Sequence, residues 1–379
     1  MNLEMQNPTD PIAAAHSQKF LEFLIERIRS QGPIAFVDFM NLALYAPGQG
    51  YYVAGATKLG RGGDFITAPE LSPLYAHCLA RQVAEVLETL GGETEVLELG
   101  AGSGLMALEL LRELERLDRL PTTYIILELS PELRERQEIL FDQEAPELKN
   151  RVRWVDTLPK IRGVILANEV MDAMPVHRFK MEDSLKEFYV TEENGELAWA
   201  LKPASSELIK ALEDAELKLT PPYESEINLC LPAWIKSLGE ALSEGLILLI
   251  DYGFPRHEYY HPERSMGTLM CYYQHQAHGN PLILPGIQDI TAHVDFTRVA
   301  EAAVEAGLTV AGFTNQASFL LNCGLVDSLG ELSLEQRLAI QQLTLPTEMG
   351  ELFKAIALTK EWDSSLRGFA YFDQRHRLS

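Results

Sequence analysis

Cysteine is scarce in this chain. Four residues, Cys78, Cys230, Cys271 and Cys323, are spread along 379 positions without a single CxxC pair. That argues against a zinc ribbon or a disulfide framework and leads to the expectation of a reducing, cytoplasmic compartment. Nine histidines are spread along the chain, and no metal site is expected. The longest apolar runs, such as GLILLI at 245–250, fall far short of the ~20 residues that span a bilayer. The opening MNLEMQNPTDPIAAAHSQ lacks a cationic start followed by an apolar core, so no signal peptide is expected. Basic charge is in deficit: 32 Lys and Arg face 55 Asp and Glu, a formal net charge of −23. Such a surface disfavours nucleic-acid backbones and anionic membranes and is friendlier to a basic substrate, although solubility alone also accounts for it.

What is present is a core. Hydrophobic residues make up 46% of the chain, enough for one large domain with additions or for two or three smaller ones. Apolar residues recur at helical spacing from Ser17 to Arg29, and a second helical segment ends near a Pro-Gly turn and two tyrosines at 51–52. Beyond a helix over about 74–90 the pattern alternates. EVLEL (95–99), TYIILEL (123–129), RVRWV (151–155), GVILAN (163–168), GLILLIDYG (245–253), TVAGFT (309–314) and FKAIALTK (353–360) read as strands. Helices over 105–117, from Pro131 through Arg136 and over 296–306 lie between them. Strands that alternate with helices and are apolar on both faces imply a parallel sheet between helical layers, an α/β fold. The stretch from about 179 to 240 breaks the alternation, with a hairpin turning at Asn194-Gly195, and reads as an insertion. Residues 254–290 read as a long loop rich in Tyr, His, Pro and Gly.

The first strand runs into VLELGAGSGL (96–105), with glycines at 100, 102 and 104. Glycine there permits positive φ and lets a ligand approach the backbone closely. A dinucleotide site wants GxGxxG, with the pyrophosphate on the helix N-terminus. Here the third glycine comes one position early, and Glu98 lies two residues before the turn, where a carboxylate would repel pyrophosphate. It would suit a ligand with a cationic or hydrogen-donating end, as S-adenosylmethionine (SAM) has. Glu128, after the second strand, is placed for a ribose diol, which NAD and SAM share. Asp156, after the third, could meet an adenine amino group or merely cap a turn.

The sequence resembles the class I SAM-dependent methyltransferases and, more narrowly, the MidA-like family. The resemblance rests on GPIAFVDFMNLALYAPGQGYY (32–52), GRGGDFITAPELS (60–72), LELGAGSG (97–104), LANEVMDAMPVHRF (166–179), LIDYG (249–253) and LPGIQDITAHVDF (284–296), which come in the family's order. It implies a Rossmann-like, seven-stranded, mostly parallel sheet with SAM as cofactor. It also implies a helical N-terminal extension (1–92) carrying the GGDF lid loop, then a methyltransferase domain (93–379). That domain holds the insertion at about 179–240 and a C-terminal helical segment at about 316–345. The implied pocket combines Gly100, Gly102, Gly104 and Glu128 with Gly63, Asp64 and Phe65. Asp64, following two glycines, could reach the methionine amino group or close an Asx turn.

The family's mitochondrial member is a complex I assembly factor acting as a protein arginine methyltransferase. The partner implied is therefore a protein substrate, with a respiratory complex I subunit as candidate; a homodimer is the assembly considered. Methylating a guanidinium requires carboxylates that hold it and favour proton loss. ILANEVMDAMPV (165–176) offers them: Asn168, Glu169 and Asp172 emerge where a buried strand ends. As metal ligands they are unconvincing, since no histidine is spaced to join them. As a helix or turn cap before Pro175, Asn168 or Asp172 is plausible. As catalytic or substrate-holding groups, all three are candidates. Asp251 and Tyr252 after the fifth strand, and His293 and Asp295 in DITAHVDF, are softer ones. The alternatives are a SAM methyltransferase of a small molecule or another side chain, and a non-catalytic SAM-binding assembly chaperone.

Overall fold

The computed structural model describes residues 10–53, 67–328 and 332–379. The chain forms two compact units. One comprises Ile66–Asp172, Leu231–Tyr259 and His293–Ser379; the other comprises Met1–Phe65, Ala173–Cys230 and Tyr260–Ala292.

The first unit is built on a sheet whose long strands are β1 (Glu95–Leu99), β2 (Thr123–Leu127), β3 (Val152–Val155), β4 (Ile161–Asn168), β5 (Leu242–Phe254), β6 (Thr309–Asn315) and β7 (Phe353–Lys360). Their order is β6-β7-β5-β4-β1-β2-β3, and a two-residue strand, Val294–Asp295, joins β5 from the side to make eight. β1 to β5 pair in parallel, and only β7 runs antiparallel to its neighbours β5 and β6. This is an α/β fold with a mostly parallel central sheet. The continuous apolar runs explain the strands: in β5, every residue from Gly245 to Asp251 is buried. At the other end of the sheet from the strand C-termini, Gly163 of β4 sits at φ 145°, and a Cβ there would lie 2.0 Å from the Glu95 carbonyl oxygen.

Helices Pro73–Leu90, Leu105–Arg116 and Pro131–Glu144 belong to the same unit. The first is capped by Ser72, whose hydroxyl accepts from the Leu74 N–H, and the third by Ser130, which accepts from Leu133. The third extends eight residues past Arg136, where the sequence pattern fades. Only Gln137 and Phe141 of its fourteen residues are buried, so almost no apolar stripe marks it.

The second unit contains helices Pro11–Gln31 and Phe36–Tyr45 and an antiparallel sheet. Its hairpin, Leu185–Glu193 and Glu196–Pro203, turns at Asn194 and Gly195, both at positive φ, as expected from the sequence. Two findings differ from the sequence reading. The N-terminal helix groups with the insertion, whereas Pro73–Leu90 groups with the large sheet, so the division does not fall at residue 92. The 254–290 stretch is also not all loop: Met270–Tyr273, Gln276–His278 and Asp289–Thr291 form a three-stranded sheet. Strands of three or four residues are too short for a period-two pattern to show.

Candidate active site

The sheet order places β1 and β4 side by side at the point where the chain reverses its direction of progress across the sheet. In open α/β sheets, ligands bind beyond the strand C-termini at that point. The register is in step: Leu99 pairs with Ala167, and Asn168 with Ile250. The glycine turn, Asn168-Glu169 and Asp251 therefore leave three adjacent strands at one edge.

In the turn, Gly100, Gly102 and Gly104 have φ of 65°, 55° and 83°, a region closed to most side chains. A Cβ on Gly104 would press on Gln137 at 3.1 Å. Gln137, fully buried, is the bracket of this region. Its Nε2 donates to the Gly102 carbonyl (2.9 Å) and to Glu128 Oε2 (3.1 Å), while its Oε1 accepts from Trp154 Nε1 (2.9 Å). The other Glu128 oxygen accepts from the Ser130 N–H at 2.9 Å. The carboxylate is thus held at the end of β2, where nucleotide-binding sheets place the acceptor for a ribose diol. Glu98 lies beneath the turn, 1% exposed, and accepts a 2.6 Å bond from the Tyr124 hydroxyl. Burial pushes its carboxyl up to about 7; the Tyr124 bond pulls it down, and the nearby Glu128 raises it further. Asp156 is exposed in the bend after β3. Gly63, Asp64 and Phe65 lie outside the described residues.

At the end of β4, Asn168 Nδ2 donates to Glu169 Oε1 at 3.0 Å, and Asn168 Oδ1 accepts from the Tyr75 hydroxyl. Tyr75 is fully buried on helix Pro73–Leu90, and burial, then Glu169 and Asp251, drives its hydroxyl well above its ordinary pKa. Glu169 has φ 54°, a left-handed conformation that costs a non-glycine residue about 1–2 kcal/mol. Backbone strain of this kind gathers at functional sites. Asp172 is 6% exposed and accepts from the Tyr252 hydroxyl. Asp251 is completely buried. Its Oδ2 accepts from the Met171 (2.9 Å) and Asp172 (3.2 Å) N–H groups, and its Oδ1 from Tyr252 N–H (2.9 Å). Burial first, then Asp172 and Glu169, raises its carboxyl well above the ordinary carboxylate range. Asp251 therefore ties down the segment that carries Asp172.

The DITAHVDF pair plays other parts. Asp295 caps helix Phe296–Glu305, accepting from Arg298 N–H, and pairs with Arg256 at 3.2 Å. His293 packs its ring against Tyr252 and Phe254, at 5.1 and 5.2 Å between centroids. Among the described residues, no group of three or more His, Cys, Asp or Glu is arranged to hold a metal.

Residues 78–314, more than half of the chain, match the model of a family described as "Putative S-adenosyl-L-methionine-dependent methyltransferase". The chain belongs to this family. It is also similar to a crystal structure of a COG1565 superfamily member from Burkholderia thailandensis bound to S-adenosyl-homocysteine. The two share 42% identity, with 99% of this chain and 100% of that one covered and a TM-score of 0.93. Protein arginine methyltransferase NDUFAF7, mitochondrial, from Rattus norvegicus is 28% identical, covering 92% of this chain and 86% of its own length. The Homo sapiens protein of that name is 28% identical, covering 94% and 85%. The chain is a SAM-dependent methyltransferase. The expected cytoplasmic placement is corrected: it rested on cysteine spacing and an unremarkable N-terminus, and these relatives are named as mitochondrial.

The cofactor fits the residues at the strand edge. A methyltransferase of this family would hold the ribose on Glu128 and the backbone of the three glycines against the cofactor's body. The group supplies an activated methyl on a sulfonium; the chain's own residues supply alignment. Sequence reasoning missed Tyr75 and Gln137. Gln137 had one signal, its i,i+4 spacing from the buried Phe141.

Proposed function

We propose that this methyltransferase acts on a protein arginine, with Glu169 as the group that holds the guanidinium and draws off its proton. The observation that carries the reading is the Tyr75–Asn168–Glu169 chain of hydrogen bonds, beside the glycine turn. A guanidinium does not lose its proton at neutral pH unaided. A carboxylate oriented by an amide meets a guanidinium in a defined direction and localises electron density on one nitrogen. Asp172, held by Tyr252 and by the Asp251-anchored backbone, supplies a second negative charge to the acceptor. Asn168 keeps Glu169 in place. The names of the relatives point the same way, and the resemblance makes a respiratory complex I subunit the first protein to test.

Calorimetry with SAM, then labelled SAM in a lysate with mass-spectrometric mapping, tests this. Label on arginine is expected, and label on lysine or on small metabolites would defeat the substrate assignment. Bound SAM without any transfer would leave a binding module only. Glu169→Gln should bind SAM normally and lose transfer, whereas Gly102→Val should lose cofactor binding. Full activity in Glu169→Gln would remove Glu169 from its role.

A further inference from the structure

The second unit has a cavity of about 1060 Å³ with no part in the chemistry above. It is walled by one face of helix Pro11–Gln31 (Ala14, Ser17, Gln18 and Leu21), by strand residues 196–199 and by the loop at 279–285. Four consecutive strand residues border it. Side chains alternate between the faces of a strand, so a run of four presents the strand's edge rather than one face.

That edge is open. Glu196–Pro203 pairs with Leu185–Glu193 and with no other described strand. The two-residue turn makes Glu193 and Glu196 the closing hydrogen-bonded pair. Glu192↔Leu197 and Val190↔Trp199 are then the alternate pairs, whose N–H and C=O groups point away from the partner strand. Leu197 and Trp199, both lining the cavity, thus turn backbone donors and acceptors toward the strand's unpaired side.

The wall also holds an incomplete polar group. Arg178 lies with its guanidinium 4.3 Å from the Phe188 ring centroid and 4.9 Å from that of Trp199, and donates to Glu224 at 3.1 Å. Its Nε is buried without an acceptor among the described residues. A buried donor left unmade is costly, and an oxygen brought in by a bound chain would relieve it after a small side-chain shift. At the rim, Glu196 is exposed, and the chain as a whole carries −23.

We infer that this cavity takes an extended, lysine- or arginine-bearing segment of the methyl-accepting protein as an added strand along Glu196–Trp199. Main-chain hydrogen bonds to Leu197 and Trp199 would supply affinity, and Glu196 would favour basic segments. This rests on the protein-substrate reading and gives that substrate a docking element separate from the methylated side chain.

The test uses the full-length protein and a fluorescein-labelled peptide of four Lys-Val repeats, read by fluorescence anisotropy. A second peptide has alternate backbone nitrogens methylated, which keeps the charge and removes the N–H groups. The plain peptide should bind saturably, and the methylated one should bind about tenfold more weakly or worse. Glu196→Lys should weaken the plain peptide several-fold, and Leu197→Pro, which removes an outward N–H, should do so as strongly as backbone methylation. Thermal melting and SAM calorimetry on each variant report folding. If Leu197→Pro does not fold, the two peptides and Glu196→Lys decide. Equal binding of the two peptides, or no saturable binding at all, overturns the inference. Label on a residue other than arginine, with the peptide results as expected, sinks the arginine reading and leaves the groove.

Discussion

Replacing Gln137 by methionine keeps the volume and deletes the bracket between the glycine turn, Glu128 and Trp154. Three hydrogen bonds disappear: to the Gly102 carbonyl, to the Glu128 carboxylate and from the Trp154 indole. A neutral bond contributes about 1 kcal/mol net and a charged one about twice that, so the gross loss is about 4 kcal/mol. Gly102, Glu128 and Trp154 are all partly exposed, so water can recover some of it, and the buried thioether returns about 1–2 kcal/mol. The net destabilisation should be about 2–3 kcal/mol, read as a lower urea midpoint at unchanged slope.

The same change reaches the cofactor. Glu128 would lose the bond from Gln137 that helps hold its carboxylate in orientation. Loss of about 1.4 kcal/mol of preorganisation corresponds to tenfold weaker SAM binding, measurable by calorimetry on folded protein. Gln137→Glu should be worse than Gln137→Met, because it sets a second carboxylate against Glu128. A methionine variant within about 0.5 kcal/mol of the parent that binds SAM equally well would refute the reasoning.

Three other outcomes are expected. Tyr75→Phe removes the donor to Asn168, and should lower stability by about 1 kcal/mol; methyl transfer should fall more than SAM affinity, and unchanged turnover would show that Asn168 needs no such anchor. The Glu98 carboxyl, raised to about 7, keeps its proton in the folded state while the unfolded chain has lost it, so stability should fall as pH rises from about 4.5 through about 7; urea titrations of Glu98→Gln should lack that part of the slope, roughly 3 kcal/mol across the window, and identical slopes would refute the assignment. Gly163→Ala drives a methyl to 2.0 Å from a backbone oxygen and should destabilise by about 3 kcal/mol or more in thermal melts; it lies five residues, about 16 Å, up the strand from Asn168, so the folded fraction should still bind SAM normally.

The residues that bring chemistry to the strand edge and those that hold them there differ in how far they can be read from sequence. Asn168, Glu169, Asp172 and the three glycines follow directly on apolar runs, and a buried strand followed by polar residues or glycines is a local signal. The structure does gather them at one edge, since β1 and β4 are neighbours in register. Tyr75 precedes Asn168 by 93 positions and resembles any buried aromatic in a helix. Gln137 is a polar residue in an apolar slot, so periodicity counts it as solvent-facing and ends the helix early. Asp295 shows the reverse error: a carboxylate near the expected mouth drew attention as chemistry, although its position before a helical run marks an N-cap. Buried polar groups that satisfy other polar groups leave no periodic trace, because their partners are set by strand order rather than by spacing. That argument makes Asp251 the informative comparison with Glu169. Both come at the end of a buried apolar run, yet Asp251 spends its oxygens on three backbone N–H groups and Glu169 accepts from a side-chain amide. Asp251→Asn should therefore loosen the 171–172 segment and lower stability as well as turnover, whereas Glu169→Gln should leave stability nearly unchanged. If the two variants lose stability equally in urea unfolding, the division between anchoring and acceptor-holding carboxylates is wrong.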